Sequence, residues 1–428
     1  MTKPGYRMTE IGEIPEEWGT SELRKMFKII TGTTPSTKIK KYWTGGTIEW
    51  LTPKDLSQMN DNNIISPSER KVTTDALNES NLNLLPEGSI LISTRAPVGY
   101  VGINRAQITF NQGCKGLVPL VSEGYSSSFY AYYLKYKREF LNSVSSGSTF
   151  KELSKERLER LVVPIPPWLE QQKIAQILST ADETIQKANE EITLTEKLKK
   201  GLMQTLLTKG IGHTKFKMTE IGEIPEEWKV MNISDVTIEH KQGLYTNESY
   251  TDNGIKLVRI TDLLNPNISY ETMPFLNVNQ KTYEQFKIEK GDFLIARSGA
   301  IGRYGIVNDV IHSVFGSYII RYKFDSSRID VKFFGYVYSS KHVLGALLKL
   351  KHGATNININ ADNIDGIKIP LPPLSEQQKI AEILSTVDQK LELLRNKKTH
   401  LGELKKGMME DLLTGRVRVK IATSKGEN

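Results

Sequence analysis

The side chains best equipped for chemistry in this 428-residue chain are guanidiniums, ammoniums and amides set in glycine-bearing loops. Gly88–Gly102 (GSILISTRAPVGYVG) aligns with Gly291–Gly305 (GDFLIARSGAIGRYG). Each enters on a short apolar run, Ile90–Ile92 or Phe293–Ile295, and continues into a loop bearing Arg95 in one and Arg297 and Arg303 in the other. Apolar β-formers ended by glycines predict a strand feeding a turn. An arginine held there is a permanent charged donor, suited to binding anions and hydrogen-bond acceptors rather than to breaking bonds.

Catalytic patterns are missing. There is no N/D-P-P-F/Y tetrapeptide of methyltransferases, no Gly-rich cofactor loop after a strand and no G-x-x-x-x-G-K-S/T loop for ATP. The six histidines are scattered without H-E-x-x-H or paired spacing, so no metal site is expected. Glu227-Trp228-Lys229 resembles the tail of a nuclease motif, but its copy has Gly19 where the lysine should be, and the reading is structural. Cys114 is the single cysteine, which excludes a disulfide framework and reads as a buried thiol. A net charge of +8 and a pI near 9.1 are compatible with nucleic acid or another anionic surface. No apolar run is long enough to cross a membrane and the N-terminus lacks a signal-peptide core, so a cytoplasmic location is expected.

The elements that must hold these loops occur twice. MTEIGEIPEEW, Met8–Trp18, recurs unchanged at Met218–Trp228. Ile48–Leu56 (IEWLTPKDL) matches Ile255–Leu263 (IKLVRITDL), an apolar segment and an Asp-Leu turn. Gly147-Ser148-Thr149-Phe150 pairs with Gly353-Ala354-Thr355-Asn356 ahead of Pro-rich segments. Helical stretches are few here, Ser127 to Leu141 and Val331 to Leu350. Each half is thus a globular part, Met8 to about Arg160 and Met218 to about Asp365, with α+β character and irregular sheets.

A long helix follows each part. IPPWLEQQKIAQILSTAD (Ile165–Asp182) repeats as LPPLSEQQKIAEILSTVD (Leu371–Asp388), and the register holds to Leu206–Gly210 and Leu412–Arg416. Ile380, Leu384, Val387, Leu391, Leu394, Leu401, Leu404, Met408 and Leu412 mark one buried helical face. Ser375 with Gln378 forms a capping-box pattern, weakened in the first copy by Leu169, and Gly210 and Gly415 supply C-caps. At 1.5 Å per residue each helix is roughly 60 Å long and needs a partner. The other copy is the expected one, in an antiparallel coiled coil. The interior glycines Gly201 and Gly407 suggest a close helix crossing or partner contact, with a tolerated kink as the plainer reading.

Twin EQQKIAxILS helices after Pro-Pro, closing in LLT-Gly, each preceded by a GD/GS-x-L-I strand and a Gly-Thr or Gly-Ala-Thr turn, resemble the specificity subunit of type I restriction-modification enzymes. The resemblance covers nearly the whole chain, and Leu169 and Trp168, in place of Ser375 and Leu374, are modest departures. It implies target recognition domain 1 at 1–160, spacer helix 1 at 161–217, target recognition domain 2 at 218–366, and spacer helix 2 with a C-terminal tail at 367–428. It further implies double-stranded DNA and two modification (methyltransferase) subunits as partners, and restriction subunits through the complex. No cofactor is expected in this chain, S-adenosylmethionine, ATP and Mg belonging to the partners. Two unlike domains held apart by stiff helices would read a bipartite, asymmetric, gapped site, with half-sites about one helical turn, roughly 34 Å, apart.

Phosphate contact asks for Lys, Arg and small polar groups, and base readout for Arg, Asn or Gln in a groove. Loops at matching points nominate Thr33, Thr34, Ser36, Lys38, Lys54, Arg95, Gln112, Thr149 and Lys151 in the first part. In the second they nominate Lys241, Tyr245, Arg259, Arg297, Arg303, Tyr304, Asn356 and Asn358, where Asn356, Asn358 and Asn360 would share one face of an extended segment. For each, the plainer alternative is a solvated surface side chain. Two other functions fit less of the pattern: a self-contained DNA-modifying enzyme of unfamiliar type, which would bind S-adenosylmethionine, and a duplicated coiled-coil interaction protein binding peptide or glycan, which would not bind DNA selectively.

Overall fold

The structure, a computed structural model, describes residues 3–59, 63–121, 123–145, 152–309, 311–349 and 359–421. It divides into two compact units, Met1–Glu191 with Leu394–Asn428, and Ile192–Leu393. Four helices organise them: α1 (Ser127–Tyr136), α2 (Trp168–Lys209), α3 (Val331–Tyr338) and α4 (Leu374–Leu413).

In the first unit, strands β1 (Phe27–Thr31), β2 (Ile90–Ser93), β3 (Val101–Ile103) and β4 (Cys114–Pro119) form an antiparallel sheet in the order β1-β4-β2-β3. Ile90, Leu91 and Ile92 are all fully buried because this sheet is covered on both faces. Ile90 and Ile92 pack with Phe129, Tyr130 and Leu134 of α1, and with Ile174 and Leu178 of α2. Leu91 turns the other way, into a smaller core with Leu51, Leu85 and Phe110. The helix α1 starts where Ser126 accepts from the Phe129 amide.

The second unit repeats the plan. Strands β5 (Thr237–Gln242), β6 (Phe293–Ala296), β7 (Tyr304–Ile306) and β8 (Ile319–Phe324) take the order β5-β8-β6-β7. Phe293 and Ile295 face α3, while Leu294 and Ala296 face the second core. The Asp-Leu turns match too: Asp55 accepts from the Thr52 amide at 2.8 Å, and Asp262 from the Arg259 amide at 2.8 Å. These bonds explain why an aspartate follows both apolar segments.

The long helices are α2, with 42 residues, and α4, with 40. Each starts immediately after Pro-Pro, with Pro167 and Pro373 carbonyls accepting from the first turn. Ser375 therefore lies inside the first turn of α4 instead of capping it. Gly210 and Gly415 end the helices at φ +64 and +74, the left-handed geometry that a side chain would strain.

The helices run antiparallel. In the first unit Glu170 of α2 meets Arg418, just past α4, and Asp182 meets Lys405; in the second Lys199 meets Asp388, and His213, just past α2, meets Glu376, so within each unit ascending numbers on one helix face descending numbers on the other. Ile380, Leu384, Leu391, Leu394 and Leu412 of the sequence-derived stripe are buried, but Leu404 is 63% exposed. Leu404 points outward with its repeat equivalent Leu198, which is 55% exposed. The expected close crossing at Gly201 and Gly407 is absent, since a Cβ at either would meet nothing within 4 Å.

Candidate nucleic-acid interface

Three loops meet at one end of the main sheet in each unit, by the same backbone bonds. In the first unit the Gly32 amide donates to the Cys114 carbonyl and the Thr33 amide to Phe110, while the Thr94 and Arg95 amides both donate to the Gly113 carbonyl. In the second, the Gly243 amide donates to Ile319, the Leu244 amide to Phe315, and the Arg297 amide to the Tyr318 carbonyl. Glycine is required at Gly32 and Gly243, where a Cβ would collide with the carbonyls of Asn111 and Gly316. A further segment closes each cluster: Leu153 donates to Thr94 and Ile359 to Arg297.

The side chains on these equivalent scaffolds differ. In the first unit the Thr34 hydroxyl donates to the Gln112 side-chain oxygen, Thr33 accepts from the Trp50 indole at 3.1 Å, and Arg95 pairs with Glu152 at 3.2 Å. Pro53 packs against Gly113, which brings the neighbouring Lys54 to the same loops, where it pairs with Glu69 at 2.6 Å. Ser36 uses its carbonyl to accept from the Trp43 indole at 3.1 Å, and Lys38 is exposed. Thr34, Arg95 and Gln112 are thus brought together, with Thr33 and Lys54 beside them.

In the second unit Tyr245 is 76% exposed, and Lys241 lies 4.8 Å from the Phe286 ring centre. Arg297 is partly buried, and its Nε has no hydrogen-bond partner among the described residues. Arg303 is exposed and reaches the Ile260 carbonyl at 3.4 Å. Arg259 is committed elsewhere, clamped on the buried Asp262 at 3.0 Å and on the Thr272 carbonyl at 2.9 Å. Tyr304 must leave the candidate list as a direct contact: it is 3% exposed and stacked on Phe293 at 4.8 Å, and burial pushes its hydroxyl up to about 12. Its place in the Gly-rich loop alignment hid the fact that it opens strand β7. Thr149, Lys151, Asn356 and Asn358 lie outside the described residues.

The structure adds two residues to these loop clusters, one exposed and one buried beneath the loops. Tyr318, 60% exposed, sits on the loop that receives the Arg297 amide. Lys115 is 4% exposed, and its ammonium donates to the Gln112 carbonyl at 3.2 Å. Burial lowers its affinity for the proton, with Glu152 acting in the opposite sense. The signal was a lysine inside the apolar run CKGLVP. Cys114 next to it is fully buried, and desolvation pushes its thiol up, away from reactivity.

The arrangement offers donors, amides and exposed aromatic rings on turns tied by backbone hydrogen bonds. No described cluster of His, Cys, Asp and Glu could hold a metal ion, and no described helix is long and apolar enough to cross a membrane.

Known proteins match this organisation. The family model for the type I restriction modification DNA specificity domain matches twice, at residues 15–196 and 225–403. The MjaIX specificity subunit of Methanocaldococcus jannaschii is 30% identical over 97% of this chain and 96% of its own length. The MjaVIII specificity subunit of the same organism is 31% identical over 95% and 94%. A crystal structure of the S subunit from M. genitalium superimposes with a TM-score of 0.60 at 17% identity, covering 96% of this chain and 99% of that one, which shows a common fold. Two family matches, one per repeat, and full-length similarity to such subunits make this chain a member of the type I restriction-modification specificity subunit family.

Proposed function

We propose that the two loop clusters read the two unlike halves of a gapped DNA site. The observation that carries this reading is one backbone scaffold built twice with different side chains, Thr34, Arg95 and Gln112 on one copy and Tyr245, Arg297 and Tyr318 on the other. Same scaffold, different donors is what two different half-sites require. Residues 1–160 and 218–366 are the recognition domains in this reading, and helices α2 and α4 set the gap.

Two modification subunits dock on the helices, whose outward leucines, Leu194, Leu198, Leu393 and Leu404, are each more than half exposed. S-adenosylmethionine, ATP and Mg are handled by the modification and restriction subunits, and this chain catalyses nothing alone. It works in the cytoplasm, with the DNA it surveys.

Methylome mapping of a host expressing this chain with its methyltransferase tests the reading. Q112A together with T34A is expected to relax one half-site only, and R297A the other only. Inserting residues into one helix is expected to alter the gap and leave both half-sites unchanged. Altered half-site bases with an unchanged gap after the insertion would refute the helical ruler.

A further inference from the structure

Each unit holds a polar cluster on the seam between the long helices that recognition does not use. In the first, Asp182 of α2 accepts from the Tyr132 hydroxyl of α1 at 2.6 Å and pairs with Lys405 of α4; the two charged side chains are only 4% and 12% exposed. In the second, Asp388 of α4 accepts from the Tyr336 hydroxyl of α3 at 2.9 Å and pairs with Lys199 of α2 at 2.5 Å. The clusters are repeat equivalents: each long helix contributes its aspartate to one and its lysine to the other.

We propose that these two Asp–Lys–Tyr clusters fix the register of the helix pair and thereby the gap length of the DNA target. The second half of that statement rests on the function proposed above. Asp182 and Lys199 are 17 residues apart on α2, and Asp388 and Lys405 are 17 apart on α4, so one antiparallel register satisfies both pairs. The apolar seam cannot choose that register so sharply. Leu384 and Leu391, like Leu394 and Leu401, are one heptad apart, so a heptad slip replaces leucine by leucine.

The charges do discriminate. Slipped one heptad in one direction, Asp388 would face Ile192 and Lys199 would face Ala381, while Asp182 alone finds a new partner in Lys398. Slipped the other way, Asp182 would face Leu412, Asp388 would face Leu206, and Lys199 would face Arg395. Either slip strands a charge against apolar side chains, the condition a desolvated ion tolerates least. The tyrosines extend the lock beyond the seam. They tie α1 and α3, which cover the main sheets, to the residues that set the register. One heptad corresponds to about 10 Å of axial travel at 1.5 Å per residue, or about three base pairs at 3.4 Å each.

The test uses the full chain with spin labels on cysteines replacing the exposed Lys187 of α2 and Glu403 of α4; Cys114 is buried and stays unlabelled. The wild-type background is expected to give one narrow distance distribution. The variant D182L/K405L/D388L/K199L/Y132F/Y336F, which leaves no charge unpaired, is expected to remain folded and to add a population with an axial offset changed by about one heptad, roughly 10 Å. The milder D388L/K199L/Y336F, at the cluster that is 28% and 27% exposed, carries the test should the larger variant not fold. One unchanged distance in every folded variant would overturn the register lock. Co-expressed with the methyltransferase, a slipping variant is expected to methylate sites of more than one gap length. Slipped distances with a single unchanged gap would leave the lock standing and refute the ruler.

Discussion

Removing Lys405 alone tests how buried charge is handled at the helix seam. In K405M the side-chain volume is nearly kept, but Asp182, 4% exposed, loses its counter-charge and retains the Tyr132 hydroxyl. Breaking a buried pair by deleting one partner costs about 3–5 kcal/mol. The surviving tyrosine bond places this case near the lower end, about 3 kcal/mol, which is roughly a hundredfold in an equilibrium constant. The repeat equivalent K199M should behave differently. Its pair is 28% and 27% exposed, so water replaces much of the lost attraction and the cost is about 1 kcal/mol or less. The double variant D182L/K405M removes both charges and should recover most of the loss. Because each pair lies within one compact unit, the assay is hydrogen exchange read locally, on the α1 amides for the first unit and the α3 amides for the second. An equal effect of K405M and K199M, or a double variant as weak as K405M, would refute the reasoning.

The remaining expectations concern the ends of the helices and the loops. Glu170 is fully buried and accepts from the Trp18 indole at 3.0 Å and from Arg418 at 2.7 and 2.9 Å. R418M should therefore cost the first unit about 3 kcal/mol, seen as faster exchange of amides next to Trp18. Lys115 has a folded-state proton affinity below its ordinary 10.5, so the unfolded chain binds the proton more tightly and stability should rise as pH climbs from the lowered value toward 10.5. K115M should abolish that rise, which urea titrations across the window would detect. R297A should weaken DNA binding by about 1–3 kcal/mol if the guanidinium reads a base; unchanged affinity and salt dependence would remove it from the interface.

The sequence by itself determined the duplication, the strand-then-glycine-loop units and the two long helices. These rest on local rules, because periodicity, Pro-Pro starts and glycine C-caps act over a few residues and leave the same mark in each copy. The antiparallel pairing followed from needing a partner for two apolar stripes. What only the tertiary structure decided is which polar side chains are spent on the fold. Arg259 looks like a free reader until Asp262 closes on it, Tyr304 until Phe293 stacks on it, and Leu404 looks buried until the helix presents it outward. Conversely, Lys115, Tyr318 and the Asp182–Lys405 pair gain their roles from residues distant in the chain. The physical reason is that burial and charge pairing depend on what packs alongside a residue, whereas the turn and helix signals depend on its neighbours in the chain.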